Sequence, residues 1–325
     1  NVAIGYEALK VQDAGADAHN TAIGYQTGLN VSSGQRNAIM GSFAGDALTT
    51  GSDNVAIGYG ALSAEDTGGK NVAVGRGALG TLDVGGDGYN VAIGYYSGLA
   101  MTSGNSNVTI GYNCAYQLTT GDSNIAIGTN AMLAANGSES RNVAIGNGAL
   151  QNMDNDGSNY NVAVGWNAGN DVTTGTYNTL VGALAGDELI GGQSNTVLGA
   201  EALGAETGGS QNVAVGSQAL KVSDGGSNNV AVGRQAGVAV STGDNNTLIG
   251  NNAGDSLTGG GSNTIIGYNV DTGAPSGSNQ IIIGAGFTSS LGSNTTEIGT
   301  TTTTKAIVHG LVKPTNETNA NVATA

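Results

Sequence analysis

Short apolar triplets recur along the chain, each opened by asparagine and closed by glycine, as in Asn54-Val55-Ala56-Ile57-Gly58. The closing glycine falls at positions 5, 24, 41, 58, 75, 94, 111, 128 and onward to 284, with a degenerate copy at 299 and a spacing that is mostly 17, with a few of 18 or 19. A triplet of that kind, bounded by turn formers, predicts a short strand. After the glycine comes a second short segment, then a turn rich in Gly, Ser, Thr, Asp and Asn. No stretch sustains a 3.6-residue apolar period, so no helix is expected. A unit of this length repeated about 18 times predicts an all-β parallel β-solenoid, one coil per unit, with coils stacked at the spacing of neighbouring strands. Such a rod is about 85 Å long at ~4.8 Å per coil.

Finer regularities ride on this period. Three residues past the corner glycine stands a small residue, such as Ala8, Thr27, Ala44, Ala61, Ala78, Ser97, Cys114 or Ala131. One further on, the chain reads Leu9, Gly28, Gly45, Leu62, then Leu79, Gly98, Ala115, Met132, then Leu150, Gly169, Gly186, Leu203, which is a superperiod of four coils. Glycine coils place an aliphatic residue three positions later (Val31, Leu48, Met101, Leu118, Val172, Leu189), which points to compensating core filling. The recurring asparagines Asn20, Asn37, Asn54, Asn71, Asn90, Asn107 and Asn124 share one azimuth and predict a structural amide ladder along the axis.

Alternation along a strand puts Val55 and Ile57 on one face and Ala56 on the other. The larger pair is expected to fill the interior. The outward seam would then be Ala3, Ala22, Ile39, Ala56, Ala73, Ala92, Thr109, Ala126, Ala144, Ala163, Leu180, Val197, Ala214, Ala231, Leu248, Ile265 and Ile282. With no helix to cover it, a stripe this apolar calls for other copies of the chain, so an obligate homo-oligomer is expected.

Composition narrows the function. Of 325 residues, 58 are glycine, only 10% are charged and 4% aromatic, so the core must be thin and aliphatic rather than that of a compact enzyme domain. A net charge of −15 disfavours nucleic acid and anionic membranes as partners, and no apolar stretch is long enough to insert in a bilayer. Cys114 occupies a packing slot, and His19 and His309 stand in separate contexts, so no catalytic residues and no cofactor are expected. Turn acids such as Asp46, Asp53, Asp122, Asp187, Asp244 and Asp255 read as solvated charges. The candidate for Ca2+ in a turn is Asp154-Asn155-Asp156-Gly157, which lacks the closing glutamate of an EF-hand loop. Aromatics just past the corner glycine, Tyr6, Tyr25, Tyr59, Tyr95, Tyr112, Trp166 and Tyr268, share an azimuth and form a candidate glycan-stacking stripe.

The Asn-x-Ala-Ile-Gly phrase with its small residue three positions later resembles the head repeat of trimeric autotransporter adhesins. Units such as 37–54, with Thr49-Thr50-Gly51-Ser52 before the next asparagine, look closer still to shaft repeats of bacteriophage tail fibres. The resemblance covers residues 1–299 and implies a left-handed β-roll assembled as an intertwined or side-by-side homotrimer. Residues 300–325 form a Thr-rich neck and polar tail, similar to the segment that precedes a cleaved intramolecular chaperone in phage fibres. The chain opens inside a repeat at Asn1, and together these ends imply a fragment or processed product. The function implied is a rigid, non-enzymatic shaft of a virion tail fibre. Its partners would be itself, neighbouring fibre or tail domains and a host surface glycan. The alternative is the head of a bacterial cell-surface adhesin binding host matrix or glycan.

Overall fold

The computed structural model describes residues 1–13 and 17–299. The neck and tail at 300–325, including His309, lie outside the described residues. The chain winds as an all-β parallel solenoid. Eighteen three-residue strands, from Val2–Ile4 to Thr296–Ile298, form one continuous parallel sheet. Each strand pairs in register with the next, so Ala56 lies beside Ala73 and Ala73 beside Ala92. A second, two-stranded sheet, Val270–Asp271 with Phe287–Thr288, flanks the last coils. Among the described residues no helix is long and apolar enough to cross a membrane.

Each coil turns out of its strand at the corner glycine. Gly58 has φ 129°, and a Cβ there would lie 2.6 Å from the Gly75 carbonyl, so no other residue fits. The segment that follows is a turn rather than a second strand. Its residues two and four past the corner are left-handed, as in Glu7 (φ 56°) and Leu9 (φ 50°). Its backbone still bonds to neighbouring coils, with Leu9 donating to Thr27 and Gln26 to Tyr6.

The seam assignment is reversed. Ala22, Ile39, Ala56, Ala73, Ala92, Thr109, Ala126, Ala144, Ala163, Leu180, Val197, Ala214, Ala231, Leu248, Ile265 and Ile282 all point inward and are buried. Ala3 stands in the same column, paired with Ala22, and is exposed in the first coil. The residues on either side of each middle position face out: Ile57 is 37% exposed, Met40 47% and Leu198 51%. The cause is thickness. The facing wall of each coil already inserts its own buried residues, such as Ala61 with Leu62 and Ala78 with Leu79, and opposite them stands a small residue, usually alanine.

That same constraint explains the four-coil superperiod. In the third coil of each block the inward strand residue grows to Ile39, Leu180 or Leu248, and the facing wall shrinks to glycine. A Cβ on Gly28 would sit 3.0 Å from Ile39 Cδ1, and one on Gly169 2.7 Å from Leu180 Cδ1. Val31 and Val172 close the remaining space, their methyls 3.3 and 3.1 Å from the same points. Bulk is therefore exchanged between walls at nearly constant volume. In the second block Thr109 takes the large position and accepts a hydrogen bond from Ser97 Oγ at 2.8 Å.

The asparagine ladder runs at the edge of this core. The Asn54 backbone N–H donates to Asn37 Oδ1 at 2.9 Å, and Asn54 Nδ2 donates to the Gly68 carbonyl at 3.0 Å. The backbone bond recurs to Asn263, after which Gln280 takes the position, its N–H on Asn263 Oδ1 at 3.0 Å, while at Asn71 and Asn142 the side-chain Nδ2 turns instead to the carbonyls of Gly69 and Ser140. From Asn20 on these amides are buried, and each pairs a buried carbonyl and a buried N–H at the turn.

Candidate functional site

The corner glycine sends the next side chain outward at a fixed azimuth, and stacked coils bring those side chains into contact. Tyr6 and Tyr25 stack with centroids 5.3 Å apart and planes 12° off parallel. Tyr25 meets Phe43 edge-on at 5.4 Å, and Phe43 meets Tyr59 at 5.8 Å. The fifth coil carries Arg76 at this azimuth, its guanidinium 5.6 Å from the Tyr59 ring, 5.7 Å from Tyr95 and 5.8 Å from Tyr96. Tyr95 continues to Tyr112 at 5.6 Å, and Tyr96 to Tyr116 at 6.1 Å. The first seven coils thus share one aromatic stripe with a single cation in its middle. Trp166 and Tyr268 occupy the same azimuth and are exposed, but no aromatic pair joins them to it.

Sequence reasoning missed Phe43, Arg76, Tyr96 and Tyr116. Phe43 and Tyr96 sit two places past the corner rather than one, and Tyr116 five. It also missed a second aromatic edge, beside the asparagine ladder. There Tyr160 and Tyr177 stack at 5.1 Å, Arg141 lies 5.6 Å from Tyr160, and Lys70 lies 5.1 Å from Tyr89.

Between Tyr59 and Tyr96 the stripe opens into a groove of about 200 Å3, lined also by Gly60, Ser63, Arg76, Gly77, Gly80, Thr81 and Leu99. Ser63 Oγ donates to the Gly80 carbonyl at 3.1 Å, and Thr81 Oγ1 to the Leu99 carbonyl at 2.6 Å, leaving their lone pairs turned to accept. Lys10, Arg36, Lys70 and Lys221 pair with Glu7, Asp53, Asp87 and Glu201. Arg76 has no carboxylate within ion-pair distance among the described residues.

The turn acids divide by environment. Asp53 is held below its ordinary value by its hydrogen bonds from Arg36. Asp46 and Asp187, expected as solvated charges, are half-buried, and burial raises both, Asp187 to about 6. Glu65 is fully buried and also raised by burial, while its carboxylate accepts from the backbone N–H groups of Gly68 (2.6 Å) and Val84 (3.2 Å). It lies close to Asp66 and Asp83. Both of its oxygens serve the backbone, so Glu65 reads as an internal turn cap, with Asp66 and Asp83 exposed beside it. In the candidate calcium turn, Asp156 Oδ1 accepts from the Ser138 N–H at 2.9 Å and Asn155 Nδ2 donates to the Thr174 carbonyl at 3.0 Å, so these groups tie adjacent coils together. Cys114 is buried, its Sγ donating to the Ala126 carbonyl at 3.0 Å, and burial pushes the thiol up to about 12.

No protein-family model matches the chain, and the search of curated proteins returned no match either.

Proposed function

We propose that the chain is one subunit of a rigid homotrimeric shaft in an extracellular fibre, non-enzymatic and of the kind that forms the shafts of bacteriophage tail fibres. One observation carries this reading. The outer face of the main sheet presents two unbroken columns of mostly β-branched aliphatic and threonine side chains, and among the described residues nothing covers them. No charged residue interrupts these outward positions in any of the eighteen strands. A second copy is the partner of matching form, because its coils repeat at the same pitch and meet the first at every turn. If each coil buries even ~60 Å2 per chain, about 25 cal/mol per Å2 gives ~1.5 kcal/mol per coil, which over the rod exceeds the cost of association. The trimeric order and a left-handed roll follow the resemblance of the repeat, as does the tail-fibre setting.

The test is to place charge on this face. Ile57→Lys with Ile249→Lys should lower the assembly's mass or cause aggregation while the β circular dichroism persists. A variant that assembles as the parent does would overturn the proposal.

A further inference from the structure

The groove at Tyr59, Arg76 and Tyr96 is made by missing side chains. Two places past the corner, neighbouring coils carry Glu7, Gln26 and Phe43 below, then Tyr96, Asn113 and Asn130 above. Gly148 and Gly286 stand alone at this position in their coils, and Gly60 and Gly77 are the one pair of consecutive coils that both carry glycine there. A Cβ on Gly60 would meet nothing nearer than Ser63 Oγ at 3.9 Å, so any side chain would project into the open space. The same backbone position is left-handed and filled by ordinary residues elsewhere, as in Gln26 (φ 48°) and Phe43 (φ 58°). The fold therefore does not require glycine at position 60, and the gap needs another reason.

Its walls are two phenol rings, its floor is backbone, and its charge is one guanidinium unpaired by any acid, in a chain of net charge −15. Aromatic faces pack on the C–H faces of pyranose rings, and a guanidinium matches a carboxylate through two parallel hydrogen bonds. A phosphate monoester carries close to two charges, more than one arginine balances, and a neutral sugar leaves Arg76 unused. Repulsion from distant acids is screened beyond about 8 Å at physiological salt. We infer that this groove binds a carboxylate-bearing pyranose, a sialic or uronic acid residue of a glycan, with Arg76 on the carboxylate and Tyr59 and Tyr96 against the ring. The inference does not depend on the shaft proposal, since the groove lies within one chain.

The experiment is calorimetric or saturation-transfer NMR titration of the intact protein with N-acetylneuraminyl-lactose and with oligogalacturonate. Lactose and inorganic phosphate serve as the comparison probes. The acidic saccharides should bind, lactose at least tenfold more weakly, and phosphate should compete poorly. Arg76→Gln should weaken acidic-sugar binding at least tenfold, and Gly60→Gln, which fills the groove with a residue other coils already carry, should abolish it. Ala183→Gln, at a remote corner, should change nothing. Equal melting temperatures and equal assembly mass show that the variants fold and keep failure here distinct from failure of the shaft proposal. The inference is overturned if neither acidic saccharide binds, if Arg76→Gln and Gly60→Gln bind like the parent, if lactose binds as well, or if phosphate binds as tightly as the acidic sugars.

Discussion

The two halves of the rod share one interior and differ at one corner. From Tyr6 to Tyr116 the corner carries aromatic rings stacked around Arg76. From Ala183 to Asn252 the same positions read Ala183-Leu184, Ala200-Glu201, Ser217-Gln218, Arg234-Gln235 and Asn251-Asn252, before a lone Tyr268. There the contacts between coils become an amide ladder: Gln235 Nε2 donates to Gln218 Oε1 at 2.8 Å, Gln218 Nε2 donates to Glu201 at 3.0 Å, and Lys221 closes on Glu201. Strand register and the buried middle column run through both halves, and the asparagine ladder continues to Asn263, where Gln280 takes the position. The corner thus varies while the strand register stays the same, and chemistry is concentrated where the variation is aromatic.

The largest effect should come from the shared interior. Leu180→Ala empties the space that Gly169 and Gly186 leave open and should cost about 2–5 kcal/mol in denaturant unfolding. Adding Gly186→Leu, which restores the alanine-with-leucine pairing of other coils, should recover part of that loss. No recovery would refute the exchange of bulk between walls. The ladder comes next. Asn54→Leu and Asn229→Leu each orphan the N–H of the next coil's asparagine and a turn carbonyl, and each should cost about 2–4 kcal/mol. Equal costs in the two halves fit a common scaffold, and a large difference breaks the comparison.

Much of this scaffold was legible in the residues, for physical reasons. A fixed period fixes azimuth, so the asparagines, corner glycines and first aromatics could be placed without coordinates. The side of the sheet that faces inward could not. Alternation separates Ala56 from Val55 and Ile57 but leaves two orientations open, and the choice depends on how much space the opposite wall takes up. Leu62 and Leu79 take most of it, so alanine goes in and valine and isoleucine go out. The proposal of a covering partner now rests on the outward Val, Ile and Thr columns instead of on the alanines. Arg76 and its groove were hidden for another reason: their signal is the lack of a side chain at Gly60 and Gly77, which shows only when coils are aligned beside one another.

Smaller effects sharpen the contrast between exposed and buried acids. Burial raises Asp187 to about 6, and burial with Asp255 beside it raises Asp271 to about 6, against an ordinary value of 3.8. Both bind a proton more tightly folded than unfolded, so their contribution to stability falls as pH rises from 3.8 to about 6. Acidifying through this window should raise the melting temperature of the parent relative to a variant carrying Asp187→Asn and Asp271→Asn. A parallel pH response in the two would refute the assignment. The smallest effect belongs to the stripe. Tyr25→Ala removes one stacked and one edge contact on the surface and should cost about 0.5–1.5 kcal/mol, less than either core change.

The central claim is that the outward Val and Ile columns are hidden by sister chains, and the mass of the particle in solution tests it most directly. Sedimentation equilibrium on dilute protein should return three times the chain mass of 31.7 kDa, held on further dilution. A stable, soluble particle of 31.7 kDa with the β-solenoid intact would contradict the account.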